Sequence, residues 1–253
     1  MPLLVGAAAN SATGGYKIDN SLRFRASADA YLSRANGSAA TLATSGTISM
    51  WVKKPRNGSR EYLMQTGSGT GNSNYFSLFF TNSTADSIKV GQYSVNGYVN
   101  TSALYRDPSA WYHLVMAFDS TESTGTDRVK IYVNGDLTTN TSSAGASSNF
   151  ALTNNGQTVF IGREGGYPSD TYMSEVHLID GQTLSPTDFG EYDEDSGIWK
   201  PKAYTGSYGT NGFYLDFESS GSLGADSSGN SNNFTLNNIT AADQATDTPT
   251  NNF

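Results

Sequence analysis

Short runs of alternating apolar and polar residues, each closed by a cluster of Gly, Asn, Ser or Asp, fill the chain from Ser21 to about Ile179. The clearest are LRFR (22–25), TISMWVKK (47–54), YFSLFFT (75–81), SIKVGQY (87–93), WYHLVMAFD (111–119), DRVKIYVNG (127–135), TVFIG (158–162) and YMSEVHLID (172–180). A side-chain period of two belongs to extended chain, where successive Cβ atoms point to opposite faces. Ile48, Met50 and Val52 therefore share one face, as do Val129, Ile131 and Val133. These runs predict sheets with one dry face and one wetter face. In 111–119 both faces are largely apolar, which predicts a central strand. The gaps between runs are too short for crossover helices, so the strands are expected to be antiparallel. Two such sheets laid face to face bury all the stripes at once. The expected fold is an all-β, two-sheet antiparallel sandwich of the jelly-roll kind.

Turn chemistry divides the chain further. Asn96-Gly97 and Asn134-Gly135 read as tight primed-turn hairpins. Residues 120–126 and 162–170 read as longer polar loops. One short helix is expected, with Ser185 as cap, Pro186 at the first position and Asp188 at the third. Residues 1–20 form an arm, 21–192 the sandwich, 193–239 an extension and 240–253 a tail or linker that peels away. In the extension, Phe213, Leu215 and Phe217 share a face, and 232–238 reads as a weaker strand. Two strands do not make a domain. They are expected to join the same sandwich, the rival reading being the start of a second domain.

Composition removes several function classes. The chain has 253 residues, a net charge of −8 and only 15 Lys and Arg, which argues against a phosphate-binding footprint or attachment to anionic lipid. It has no cysteine, so disulfides, thiol nucleophiles and thiolate metal sites are excluded. No apolar run approaches the length of a membrane span, and the first residues lack the basic start of a secretory leader. Partners among nucleic acids or inside membranes are not expected.

LRFRASADAYLS, TISMWVKK, WYHLVMAFD, DRVKIYVNGDLT, TVFIGREG and YMSEVHLIDGQTLS, in that order, resemble the laminin-G-like branch of the concanavalin A-like lectin/glucanase fold. The likeness covers about residues 20–192. The fold hosts lectins, glycosidases and inert structural modules, so it implies a scaffold rather than an activity. The stretch from Tyr172 to Asn238 also resembles a segment of virion structural proteins of tailed phages, notably marine ones. That resemblance implies a non-enzymatic virion surface protein, either a capsid decoration or a tail adhesion module, with other virion proteins and host surface polysaccharide as partners. The other reading is a lectin domain or a glycoside hydrolase.

Hydrolysis of glycosides needs two carboxylates flanking a cleft. The nearest arrangement is Glu191, Asp193 and Asp195, which reads as a solvated acidic loop. No catalytic residue is assigned. Calcium is the metal an acidic sandwich would hold, because hard cations want clustered oxygens. Asp119, Asp127, Asp170 and Asp180 fall at expected strand ends or loops, and Asp226 opens an Asp-Ser-Ser-Gly-Asn run. Ordinary Asx turns account for the same residues. Glycan or protein contact would use loop tyrosines, and the candidates are Tyr93, Tyr98, Tyr105, Tyr167, Tyr204 and Tyr208. Trp51 and Trp111 read as core or rim, and Trp199 as a residue of an extended contact segment. His113 and His177 read as half-buried, hydrogen-bonded strand residues. Leu3, Leu4 and Val5 form an apolar cluster in the arm, expected to dock on a neighbour and support a trimer. The alternative is a frayed terminus.

Overall fold

The computed structural model describes residues 15–41, 44–67, 76–82, 86–92, 97–143 and 156–251. With strands numbered along the chain, one sheet runs in spatial order β10 (Asp136–Leu137), β9 (Val129–Val133), β8 (Trp111–Asp119), β3 (Ser45–Lys53), β15 (Thr171–Asp180), β1 (Ser21–Phe24) and β20 (Gln244–Ala245). Strand β18 (Phe213–Leu215) also pairs with β15. The second sheet runs β11 (Asn140–Ser143), β7 (Gly97–Thr101), β6 (Ile88–Gln92), β5 (Phe76–Phe80), β4 (Glu61–Thr66), β12 (Thr158–Ile161), β2 (Tyr31–Ala35) and β19 (Thr235–Asn237). Two small hairpins lie outside these sheets: β13 (Arg163–Glu164) with β14 (Tyr167–Pro168), and β16 (Gly190–Tyr192) with β17 (Trp199–Pro201). Neighbouring strands are antiparallel, as the short gaps require. The molecule is the expected two-sheet sandwich.

The core lies between the sheets. Ile48, Met50 and Val52 of β3, Met116 and Phe118 of β8, and Val129 and Ile131 of β9 meet Leu32, Met64, Leu78, Phe80, Val90 and Ile161 of the second sheet. Phe213, Leu215 and Phe217 enter the same core. The extension is thus built into the sandwich by β18 against β15 and by β19 against β2. Strand β8 lies between β9 and β3, and both its faces are covered: Leu114, Met116 and Phe118 face the core, while Val115 packs with Ile179 and Phe189.

Several expectations need correction. The outer face of β3 is dry rather than wetter: eight of its nine residues are buried. The cause is a cap of chain from 184 to 208, whose Phe189, Trp199, Tyr204 and Tyr208 pack on that face. The tail does not peel away, because β20 pairs with β1 and Asp247 binds both the Lys53 ammonium and the Trp111 indole N–H. The last residues of the arm are docked on their own chain, with Ile18 buried and held by Thr248 and Thr250. Leu3, Leu4 and Val5 lie outside the described residues, as do Tyr93 and Asn96. Gly97 is part of β7 and pairs with Gln92, so the connection there is longer than a two-residue turn. At Asn134-Gly135 the tight hairpin is present, with both residues at positive φ (51° and 88°). The expected helix is a single 3-10 turn, Pro186–Asp188, in which the Asp188 carboxylate accepts the Ser185 N–H. Gly190 and its neighbours turn to strand at once, so Glu191 sits on β16 rather than in a loop.

Candidate functional site

The cap leaves an open groove on its sheet. It holds about 450 Å³ and is lined by Trp51, Trp111, Asn134, Asp136, Tyr192 and Ile198, among others. All three tryptophans of the chain come together here, with Ile18 and flanking Tyr16 and Tyr172. Trp51 and Trp111 project from the outer faces of β3 and β8, where Trp51 pairs with His113 across the strands. Trp199 comes from β17 and lies flat because Gly135 and Gly190 have no side chains. A Cβ at either glycine would stand 2.5 Å from the indole. The His113 ring is stacked between Trp51 (4.8 Å) and Trp199 (5.9 Å).

Hydrogen bonds fix this stack. The Trp199 indole N–H donates to His113 Nδ1 (3.0 Å), which leaves Nε2–H to donate to Ser49 Oγ (2.9 Å). Burial holds the His113 pKa down at about 3, so the ring is neutral. At the groove rim, Tyr192 is 47% exposed and Ile198 is 66% exposed. Tyr192 meets Trp199 edge-on at 4.9 Å and donates its hydroxyl to Asp136 Oδ1 (2.8 Å). Asn134 uses its Oδ1 on the His113 N–H (2.8 Å), which keeps its amide N–H groups as donors. The arrangement is an aromatic wall with a carboxylate and a carboxamide at its edge. It suits a ligand with one apolar face and a fringe of hydroxyls.

A buried polar cluster lies beside the groove. In β15 a bulge between Ser174 and His177 places Glu175 at φ 51°. Its carboxyl accepts the Tyr16 hydroxyl (2.6 Å) and the Tyr214 hydroxyl (2.8 and 2.9 Å). Burial pushes the Glu175 carboxyl up to about 7 against those hydrogen bonds. His177 Nε2 stands 3.9 Å from this carboxylate, and its Nδ1 is 3.1 Å from the Tyr208 hydroxyl. Burial, then the neighbouring His113, hold His177 at about 3. Both histidines are fully buried rather than half-buried, because the cap covers them. The space among Ser49, His113, Glu175 and His177 has no room for a water molecule. The cluster locks the arm and extension onto the sheet.

The other candidates do not converge. Tyr105 is in the core, edge-on to Phe80 and Tyr112, and is not a loop contact. Tyr204 and Tyr208 pack around His177, and Tyr98 stands on β7 of the second sheet. Tyr167 is 60% exposed beside Tyr62. Glu191 and Asp193 share one cation, Lys200 (3.5 and 3.1 Å). The Ser196 backbone N–H and hydroxyl, with Lys200, lower Asp193 to about 2, where a carboxyl is a poor proton donor. Asp119 accepts from Thr121, and Asp226 from the N–H groups of Tyr214, Ser228 and Asn232. Asp170 binds the Ala26 N–H and Arg56. Asp180 binds the Thr41 and Asn211 N–H groups, and Asp127 ends a 3-10 turn. Among the described residues no three His, Asp or Glu form a group that would hold a metal ion. Tyr192 and Ile198 were not legible as site residues; the single available signal was an exposed aromatic beside Trp199.

Residues 26–188 match the family model described as the concanavalin A-like lectin/glucanases superfamily. The chain belongs to this superfamily. No curated protein matches its sequence. Among solved structures, it is similar to a Bacteroides ovatus protein provisionally assigned to carbohydrate binding, with TM-score 0.59 and 17% identity over 91% of this chain and 60% of that one. It is also similar to a pentraxin from Limulus polyphemus (TM-score 0.47, 16% identity, 66% of this chain and 78% of that one). A tailspike protein of an Escherichia coli O157:H7 bacteriophage is a third (TM-score 0.47, 13% identity, 67% of this chain and 23% of that one). These likenesses concern the sandwich.

Proposed function

We propose that this member of the superfamily is a carbohydrate-binding domain that holds a sugar in the tryptophan groove without cleaving it. The observation that carries the reading is the groove itself: exposed Tyr192 and Ile198 beside the buried tryptophans, with Asp136 and Asn134 at the edge. A pyranose ring places its C–H face on such an aromatic wall and its hydroxyls on the polar edge. The volume of about 450 Å³ lies within the usual range for small-ligand sites. The assignment of the Bacteroides ovatus protein agrees in class. The absence of cleavage rests on Asp193, held ionised, and on Glu175, sealed from water.

A glycan array tests this, followed by titration of the best-bound oligosaccharide into wild type and Tyr192→Ala. Removing the ring is expected to weaken binding about tenfold at unchanged thermal midpoint, an aromatic contact being worth roughly 1–2 kcal/mol. A blank array, or equal affinity of the two proteins, would sink the reading. A reducing-sugar assay on the bound glycan is expected to stay flat. The likeness of the C-terminal block to virion proteins adds a location, the surface of a phage particle. Mass spectrometry of purified particles from a phage that encodes the chain checks it.

A further inference from the structure

Another hollow opens on the same sheet as the groove. It is a cleft of about 330 Å³ lined by Arg23, Phe24, Pro55, Arg56, Asp170 and Tyr172. The strand register places it. Arg23 of β1 pairs with Tyr172 of β15, Tyr172 with Lys53 of β3, and Lys53 with Trp111 of β8. Residues directly opposite each other in antiparallel strands project to the same side, so all four stand on the outer face that carries the groove. Three strand spacings separate Arg23 from Trp111, about 14 Å along the row. Tyr172 belongs to both places, since it packs against the tryptophan cluster and lines the cleft.

The cleft offers the same kind of surface as the groove. Arg23 is exposed, and its guanidinium lies 5.9 Å from the centre of the half-buried Tyr172 ring. Arg56 is fixed at the wall by Glu61 Oε1 (2.8 Å) and Asp170 Oδ2 (2.9 Å). Two guanidiniums against two carboxylates leave the cleft without net charge, so it selects neither an anion nor a cation. It presents N–H donors and a carboxylate acceptor beside a ring. That suits hydroxyls, because a hydroxyl both donates and accepts. Between cleft and groove, the Lys53 ammonium binds Asp247 Oδ2 (2.8 Å) while Asp247 Oδ1 takes the Trp111 indole N–H (2.9 Å). The pair is neutral and the Asp247 side chain is 34% exposed, so the strip joining the two hollows is polar, uncharged and in part open to solvent.

We propose that the cleft is a second subsite for the glycan held in the groove, so that the ligand is a neutral oligosaccharide laid across β8, β3, β15 and β1 and not a single terminal sugar. The proposal rests on the sugar-binding reading of the groove and adds the length of the ligand. Calorimetry compares the best-bound glycan of the array with its trimmed forms, and with cello-, malto- and xylo-oligosaccharides of two to six units. Affinity is expected to rise at least tenfold from the disaccharide to the member long enough to cross the row, and to level off beyond it. Arg23→Ala is expected to abolish that rise while leaving the disaccharide affinity unchanged and, Arg23 being exposed, the thermal midpoint as well. Tyr192→Ala is expected to weaken short and long members alike. Equal affinity at every length, or a full rise in Arg23→Ala, would overturn the proposal. A loss in Tyr192→Ala alongside either result leaves the groove standing without the cleft, whereas a blank array removes both.

Discussion

Glu175 and the two buried histidines pull stability in opposite directions with pH. The Glu175 carboxyl titrates near 7 in the folded protein against 4.5 as a free group. The folded state therefore holds its proton more tightly, so this contribution is complete below pH 4.5, declines as pH rises toward 7, and stays lost above. The difference corresponds to about 3 kcal/mol. His113 and His177 act the other way. Their folded values near 3 lie below the free value of 6.5, so stability falls as pH drops below 6.5 and the unfolded chain takes up protons. With two histidines against one carboxyl, the acid side is the steeper. Glu175→Gln removes only the upper limb. Urea unfolding at pH 5 and pH 8 is expected to show wild type losing about 3 kcal/mol more than the variant over that interval. Equal losses in both proteins would show that Glu175 does not titrate there.

The elements that complete the sandwich are short and come late in the chain. Strand β20 has two residues, yet the segment around it carries Asp243, which binds Arg25 through both oxygens and is 3% exposed. Asp247 joins Lys53 to Trp111 nearby. Truncation after Ile239 strips these partners from β1, β3 and β8. Losing these partly exposed ion pairs and the indole contact is expected to lower the thermal midpoint by a few degrees in a melting scan. An unchanged midpoint would mean that the tail adds nothing to the fold. The same segment shows where sequence stops being informative. Period-two runs such as 47–54 and 111–119 announced their strands because their own side chains alternate. TAADQATDTP has no apolar stripe; it is ordered by the Arg25–Asp243 ion pair and by the Ser21 hydroxyl, which donates to the Asp247 carbonyl, each joining residues some 200 positions apart. The groove was hidden for a similar reason. Trp51, Trp111 and Trp199 meet only through long-range pairing, and the flat seat of Trp199 depends on Gly135 and Gly190.

At the scale of the whole molecule, the two chain ends leave the sandwich side by side. The Ile18 N–H donates to Thr250 Oγ1, while Thr248 and Thr250 donate to the Ile18 carbonyl. Pro249 lines the tryptophan groove at the same place. Leu3, Leu4 and Val5 precede the docked segment by about a dozen residues, so they lie within reach of both this junction and a neighbouring molecule. Burying three such side chains against a partner is worth roughly 1.5–3 kcal/mol each, enough to drive association when several copies repeat the contact. We expect the chain to form a trimer held by this arm. The described part of the arm is anchored by Tyr16 and Ile18, which lie beyond residues 2–14. Deletion of residues 2–14 is expected to leave the thermal midpoint and glycan binding unchanged while light scattering reports a monomer in place of the trimer. The same oligomer before and after deletion would take the arm out of assembly.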